Sequence, residues 1–279
     1  MRGSYFTSNP LLDPFVRKWK LVPDGVAVAT PSSHLLPVQW YGRPAMLKVA
    51  TVPDEATGGR LMAWWNGEGA ASVYAAEGDA ILLERACGAQ SLAALARSGR
   101  DDEATHILCT AVERLHRPQP RALPELVPLG KWFEALEPGA VSHGGILHRC
   151  AATARELLAS QREMVVLHGD VHHDNFLDFG ERGWLAIDPK GLLGERVFDY
   201  ANIFCNPDLA DPSVPVATLP ERFAARLGIV CAEADLDPHR LLQWIVAWAG
   251  LSAVWYLDDG MPADIDLAVA ALAAAELDS

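Results

Sequence analysis

The chain has 279 residues, half of them hydrophobic, and a formal net charge of −13. That size holds one large domain or two lobes sharing a cleft. The acidic balance argues against nucleic acid, whose binding rests on Lys and Arg neutralising phosphates, and favours a cationic small molecule. Five scattered cysteines without a CxxC pair argue against a disulfide framework or structural zinc and fit a reducing cytosol.

Residues 1–86 read as β-rich, with short extended runs at 26–30, 37–40, 45–49 and 80–84 punctuated by Gly, Pro and Asp. Between the last two, 54–67 reads as a helix with Asp54 and Glu55 in its first turn, weakened by Gly58-Gly59. After Cys87-Gly88 the pattern turns helical: 91–98, 101–116 and 147–162 come first, and 220–227, 238–257 and 264–277 close the chain. A loop is expected over 206–219. The apolar run 241–257 is barely of spanning length and contains Gln243 and Ser252, so it reads as a buried core helix rather than a membrane span. No basic segment followed by an apolar one opens the chain, so no signal peptide is expected. The change near residue 85 divides an α+β chain into a small β-rich lobe, 1–86, and a larger, mainly helical lobe, 87–279.

The segment VVLHGDVHHDNF (165–176), with WLAIDP (184–189) downstream, carries most of the chemistry. Asp170 follows the strand 165–167, and a carboxylate there can orient an acceptor hydroxyl and take its proton as a P–O bond forms. Asn175 offers a neutral amide oxygen and Asp188 a hard anionic one, both suited to Mg²⁺, which takes few protein ligands and keeps phosphate oxygens and water for the rest. His168, His172 and His173 allow a rival reading as the transition-metal cluster of a zinc hydrolase. The strand and tight loop do not give helical ligand spacing, so His168 and His172 are expected to brace the loop, with His173 facing solvent or near the nucleotide.

Lys48 interrupts the apolar run AMLKV. A charge there either faces solvent or is aimed at α- and β-phosphates, held by Glu55 of the next helix or, failing that, Asp54. Neither G-x-G-x-x-G nor a P-loop pattern occurs. The expected phosphate cover is 30–34 (TPSSH), with Ser32 and Ser33 as candidate phosphate-binding residues.

HGDVHHDN followed by AIDPKGLLGERVFDYAN resembles the aminoglycoside phosphotransferase branch of the protein-kinase-like fold, and within it the streptomycin 6-kinase and hydroxyurea kinase family. AMLKV, DEATGGRLMAWWNGEGA, ILLERACG and LDPHRLL…LSAVW are similar to that family in matching order, so the resemblance spans residues 25–275. It implies a two-lobed kinase-like fold, ATP and Mg²⁺ as cofactors, and a hydroxyl of an aminoglycoside as acceptor: streptomycin at position 6, with hydroxyurea or another small metabolite as the alternative. It implies Asp170 as catalytic base, Asn175 and Asp188 as magnesium ligands, and Lys48 with Glu55 as the phosphate-anchoring pair. Adenine would lie against the backbone of the connection 84–87, at Glu84 and Ala86, and Asp199 would brace the catalytic loop. Pro189 and Lys190 replace the Phe-Gly that follows the metal Asp in protein kinases; Lys190 either reaches a phosphate or neutralises carboxylates. A catalytically idle binding protein is the other class, and the intact set Lys48, Asp170, Asn175 and Asp188 argues against it.

No Lys or Arg occurs after Arg240, while Asp258 and Asp259 follow the apolar helix. Carboxylates at a helix C-terminus are locally unfavourable unless a cation offsets them. They are expected to receive the guanidinium groups of the acceptor, helped by the loop of Asp208 and Asp211, or else to form a solvated turn. The remaining expectations are a cytoplasmic monomer or weak dimer without nucleic-acid or membrane partners.

Overall fold

The structure, a computed structural model, describes residues 9–279 apart from the side chain of Asp54, so that alternative partner of Lys48 lies outside the described side chains. The chain forms two units. One runs to Ala89 and takes in Gln119–Glu125 and Leu177–Gly191; the other comprises Gln90–Pro118, Leu126–Phe176 and Leu192–Ser279.

The first unit contains helix α1 (Asp13–Lys18), strands β1 (Val22–Pro23), β2 (Val28–Ala29), β3 (Ser33–Trp40) and β4 (Arg43–Ala50), helix α2 (Pro53–Trp65), and strands β5 (Val73–Glu77) and β6 (Ala80–Glu84). The strands pair in the order β1-β3-β4-β6-β5, all antiparallel, with β2 also on β3. The β3–β4 hairpin turns at Tyr41-Gly42, whose φ values of 47° and 77° suit a tight two-residue turn, so both strands are longer than the extended runs at 37–40 and 45–49. Strand alternation sends Leu36, Val38, Leu47, Val49 and Leu82 into a core with Leu12. It sends Leu35, Met46, Lys48, Ile81 and Leu83 to the opposite face, where they line a cavity.

Helix α2 begins with Pro53, which suits a first helical position, and ends at Asn66 in the left-handed region (φ 51°). Gly58 weakens it as a helix but is required by its neighbour: a Cβ there would lie 2.1 Å from the carbonyl oxygen of Pro189.

In the second unit, helix Pro238–Asp258 starts under the side chain of Asp237, which accepts from the Arg240 amide at 2.7 Å. It is apolar on all sides because it packs on both Leu147–Ala159 and Asp264–Leu277. Among the described residues no helix is long and apolar enough to cross a membrane. Strand Met164–Leu167 pairs antiparallel with Leu192–Glu195, which pairs parallel with Val127–Pro128. Helix Pro220–Ala234 extends beyond the expected 220–227. Helix Leu136–His143 contains Pro138 and Gly139, and a Cβ at Gly139 would lie 2.3 Å from Val254 Cγ1, so close packing selects that glycine. Arg226, fully buried, donates to Asp101 at 2.6 Å and to the carbonyls of Ile203 and Asn206 at 3.0 and 2.6 Å, which fixes the segment 202–206.

Candidate active site

The strand Met164–Leu167 delivers the loop that begins at His168. Asp199, itself 1% exposed, accepts the amides of His168 and Gly169 at 2.9 and 2.8 Å and faces His116 Nε2 at 2.8 Å. It thus braces the loop. His168 Nδ1 accepts the Asp170 amide at 3.2 Å, and His172 Nδ1 accepts the Asp174 amide at 3.3 Å. In each of these two rings Nδ1 serves the loop's own backbone, and among the described residues no group of three or more His, Cys, Asp or Glu side chains is placed as the zinc reading needs. His173 is 1% exposed rather than solvent-facing, and neither ring nitrogen has a hydrogen-bond partner. Burial, aided by the nearby Arg226 charge, pushes its pKa well below the ordinary value, so it is a neutral packing group.

Both carboxylate oxygens of Asp170 receive amide donors. Asn175 Nδ2 reaches Oδ2 at 3.2 Å and the Asp170 carbonyl at 2.9 Å, and Asn202 Nδ2 reaches Oδ1 at 3.0 Å. Asn202 was missed in the sequence. Its orientation is set from behind: the indole N–H of Trp248 and Nδ2 of Asn206 donate to its Oδ1 at 2.9 and 3.0 Å, which leaves Nδ2 to point at Asp170. A carboxylate held this way can align a hydroxyl and accept its proton.

In the first unit the cavity is about 460 Å³, lined by Lys48, Met46, Ser32, Glu84, Ala86 and Asp188 among others. Lys48, 8% exposed, pairs with Glu55, 9% exposed, and also with Asp188. Burial would raise the Asp188 pKa, but the charges of Lys48 and Lys190 more than reverse this and hold it at about 2. Asp188 also stands in the left-handed region (φ 60°), a conformation that costs an Asp on the order of 1 kcal/mol and tends to be kept at functional sites. Glu84 lies at the end of β6 and is clamped by Arg182. Ser33 is tied to the turn: its amide and hydroxyl face Thr30 Oγ1 at 3.0 and 3.1 Å. That leaves Ser32 as the side chain of the 30–34 segment free to serve a ligand in the cavity it lines.

The family described as aminoglycoside/hydroxyurea antibiotic resistance kinase matches residues 18–260. The chain belongs to this family. It is 55% identical over 267 residues to the streptomycin 3″-kinase of Klebsiella pneumoniae, covering 94% of this chain and all of that one. It is 28% identical over 260 residues to the streptomycin 6-kinase of Streptomyces griseus, covering 89% and 82%. Aminoglycoside phosphotransferase APH(4)-Ia shares the fold, with a TM-score of 0.65, 15% identity and 95% of each chain covered. The kinase is therefore an ATP-dependent phosphotransferase with an α+β, protein-kinase-like fold.

The kinase's acidic residues divide in two. Asp258 accepts from His143 Nε2 at 2.8 Å at the end of helix Pro238–Asp258, and Asp259 caps that helix. Asp208, by contrast, is 1% exposed and accepts the amides of Val216, Ala217 and Thr218 at 2.9, 3.1 and 3.2 Å. Its carboxylate scaffolds the 208–218 turn, while Asp211 of the same loop is exposed.

Proposed function

We propose that this kinase transfers the γ-phosphoryl group of ATP to the 3″-hydroxyl of streptomycin and so confers resistance to it. The observation that carries the reading is the 55% identity to a streptomycin 3″-kinase over 94% of this chain and the whole of that one. The expected position 6 rests on kinases only 28% identical. The net charge of −13 supports a cationic acceptor. Five cysteines, all free, support a cytoplasmic setting.

In this reading Asp170 takes the proton of the acceptor hydroxyl as its oxygen bonds to the γ-phosphorus and the bond to ADP breaks. Lys48, held by Glu55, anchors phosphates, with Ser32 over them and Ser33 shaping the turn beneath. Adenine lies on the backbone at Glu84 and Ala86, in the wall of the cavity. Asp258 and Asp259 receive cationic groups of the acceptor. The donor chemistry fits magnesium: Asp188 stays ionised down to a pH of about 2, and Asn175, whose Nδ2 is spent on Asp170, has Oδ1 left as a neutral oxygen donor. Bound there, Mg²⁺ would neutralise and orient the phosphates.

The test is ADP release with ATP and Mg²⁺ over streptomycin, hydroxyurea, kanamycin and simple sugars, with NMR of the product. Streptomycin phosphorylated at 3″ is expected; turnover of hydroxyurea alone, or phosphate at position 6, overturns the reading. Asp170→Ala should abolish turnover while ATP still binds, and a near-normal kcat would remove Asp170 from its role.

A further inference from the structure

Glu55 and Asp188 are each flanked by two ammonium groups. Lys48 contacts Glu55 Oε2 and Asp188 Oδ1. Lys190 lies 3.3 Å from Glu55 Oε1 and 3.9 Å from Asp188 Oδ2. The four charges close a ring of alternating sign with no net charge. Lys48 and Asp188 line the cavity, whereas Lys190 is not among its lining residues. The backbones on either side of the ring are in tight contact. A Cβ on Gly58 would lie 2.1 Å from the Pro189 carbonyl oxygen, and one on Gly191 2.7 Å from Thr57 Cγ2. The 188–191 turn is thus docked on the start of α2, and Lys190 is a side chain that ties the turn to the helix by charge.

When Lys48 turns to phosphates and Asp188 to a metal, their mutual contact opens. Glu55, 9% exposed, then shares its cation with a ligand, and a buried carboxylate short of positive charge is unfavourable. We propose that Lys190 is a positioning residue: it keeps Glu55 neutralised and the turn docked on α2 when Lys48 and Asp188 part, so that Asp188 stays aimed at the metal. This rests on the roles assigned above to Lys48 and Asp188.

Simple charge effects give the opposite pattern. Removing a cation 3.9 Å from Asp188 would strengthen its attraction for Mg²⁺ and weaken the binding of metal-free nucleotide. Loss of positioning weakens binding most when the metal is present, because Asp188 must then be held on it, while the loss of neutralisation at Glu55 acts in both conditions. The experiment is calorimetric titration of the full-length protein with ADP, in Mg²⁺ and in EDTA, for wild type, Lys190→Gln and Lys190→Arg, each checked for folding by circular dichroism. Lys190→Gln should weaken ADP binding about tenfold in Mg²⁺, weaken it clearly less in EDTA, and be rescued largely by Lys190→Arg. Equal weakening in both buffers, tighter binding in Mg²⁺, or no change overturns the proposal. Asp188→Asn is the control: it should abolish the difference between the buffers, and if the difference survives, the assignment of Asp188 is at fault rather than that of Lys190.

Discussion

Asp266→Asn should stabilise the protein progressively as the pH rises. Asp266 lies in the first turn of helix Asp264–Leu277, fully buried, and neither carboxylate oxygen has a hydrogen-bond partner of normal geometry. Burial raises its pKa from 3.8 to about 6, with the nearby Ser252 hydroxyl and Cys205 thiol opposing the shift. The folded chain therefore holds this proton more tightly than the unfolded chain does. The group's contribution to stability is complete below pH 3.8 and is lost as the pH climbs through about 6. A shift of about 2 units corresponds to roughly 3 kcal/mol lost by pH 8, about half of it already gone at pH 5. Asn matches the shape of the neutral acid and cannot ionise. The stability difference between the Asp266→Asn variant and wild type should then grow by roughly 1.5 kcal/mol from pH 5 to pH 8, a relative Tm gain of about 3–5 °C. Thermal melts of both proteins at the two pH values measure it. The comparison across pH cancels whatever the amide costs or gains in packing. A difference that is constant with pH, or that shrinks toward pH 8, would refute the reasoning.

Four further substitutions follow from the geometry. Asn202→Ala removes a donor to the Asp170 carboxylate and should lower kcat about 10- to 100-fold with less effect on acceptor KM; Trp248→Phe, which frees the Asn202 amide to rotate, should move kcat the same way by less, and an unchanged kcat in both would disconnect the relay from Asp170. Gly58→Ala, which in an ordinary helix gains about 0.5–1 kcal/mol, should instead lower Tm and raise the KM for ATP, because the new Cβ meets the Pro189 backbone at 2.1 Å; a rise in Tm counts against that contact. Asp208→Ala strands the buried amides of Val216 and Ala217 and the half-buried one of Thr218, and should cost about 2–4 kcal/mol in urea unfolding, while the folded protein keeps its KM for streptomycin; a KM rise without lost stability would return Asp208 to the substrate.

How much was legible in the chain depended on how local the signal was. Lys48 in AMLKV could be placed on the cavity face because strand alternation is a two-residue rule, and its neighbours Leu47 and Val49 had to take the core. The loop around Asp170 was readable because its histidines and Asn175 sit within a short, densely polar stretch, whereas Asp199, 31 residues beyond His168, is pointed to only by the family resemblance. Asn202 was not, although it lies three residues beyond Asp199. Its partner Trp248 is 46 residues away and belongs to a helix whose sequence speaks only of burial. The return of Leu177–Gly191 to the first unit was equally hidden, since a boundary drawn from composition cannot show that a later apolar segment packs with earlier strands. Gly58-Gly59 misled for the same reason: local propensity counts a helix glycine as a defect, while the fold uses Gly58 to bring α2 against Pro189. His173 stands among polar neighbours, which suggest a place in solvent or near the nucleotide, but the short turn His173–Asn175 buries it.

The two carboxylates at the centre of the proposed chemistry are prepared in different ways, and the difference suits their tasks. Asp170 is oriented by the neutral amides of Asn175 and Asn202, whose donors add no full charge, with His172 Nε2 farther off at 3.9 Å. A group that must accept a proton during the reaction is best positioned by dipoles, because a cation in direct contact would stabilise the carboxylate and weaken it as a base. Asp188 is held by cations, Lys48 and Lys190, which keep it ionised to a pH of about 2. A metal ligand gains from permanent ionisation and has no proton to accept. Each carboxylate is prepared within its own unit, and the rearrangement the proposed chemistry needs, the opening of the Lys48–Asp188 contact, falls on ligand binding rather than on phosphoryl transfer, where fixed charges and dipoles contribute most.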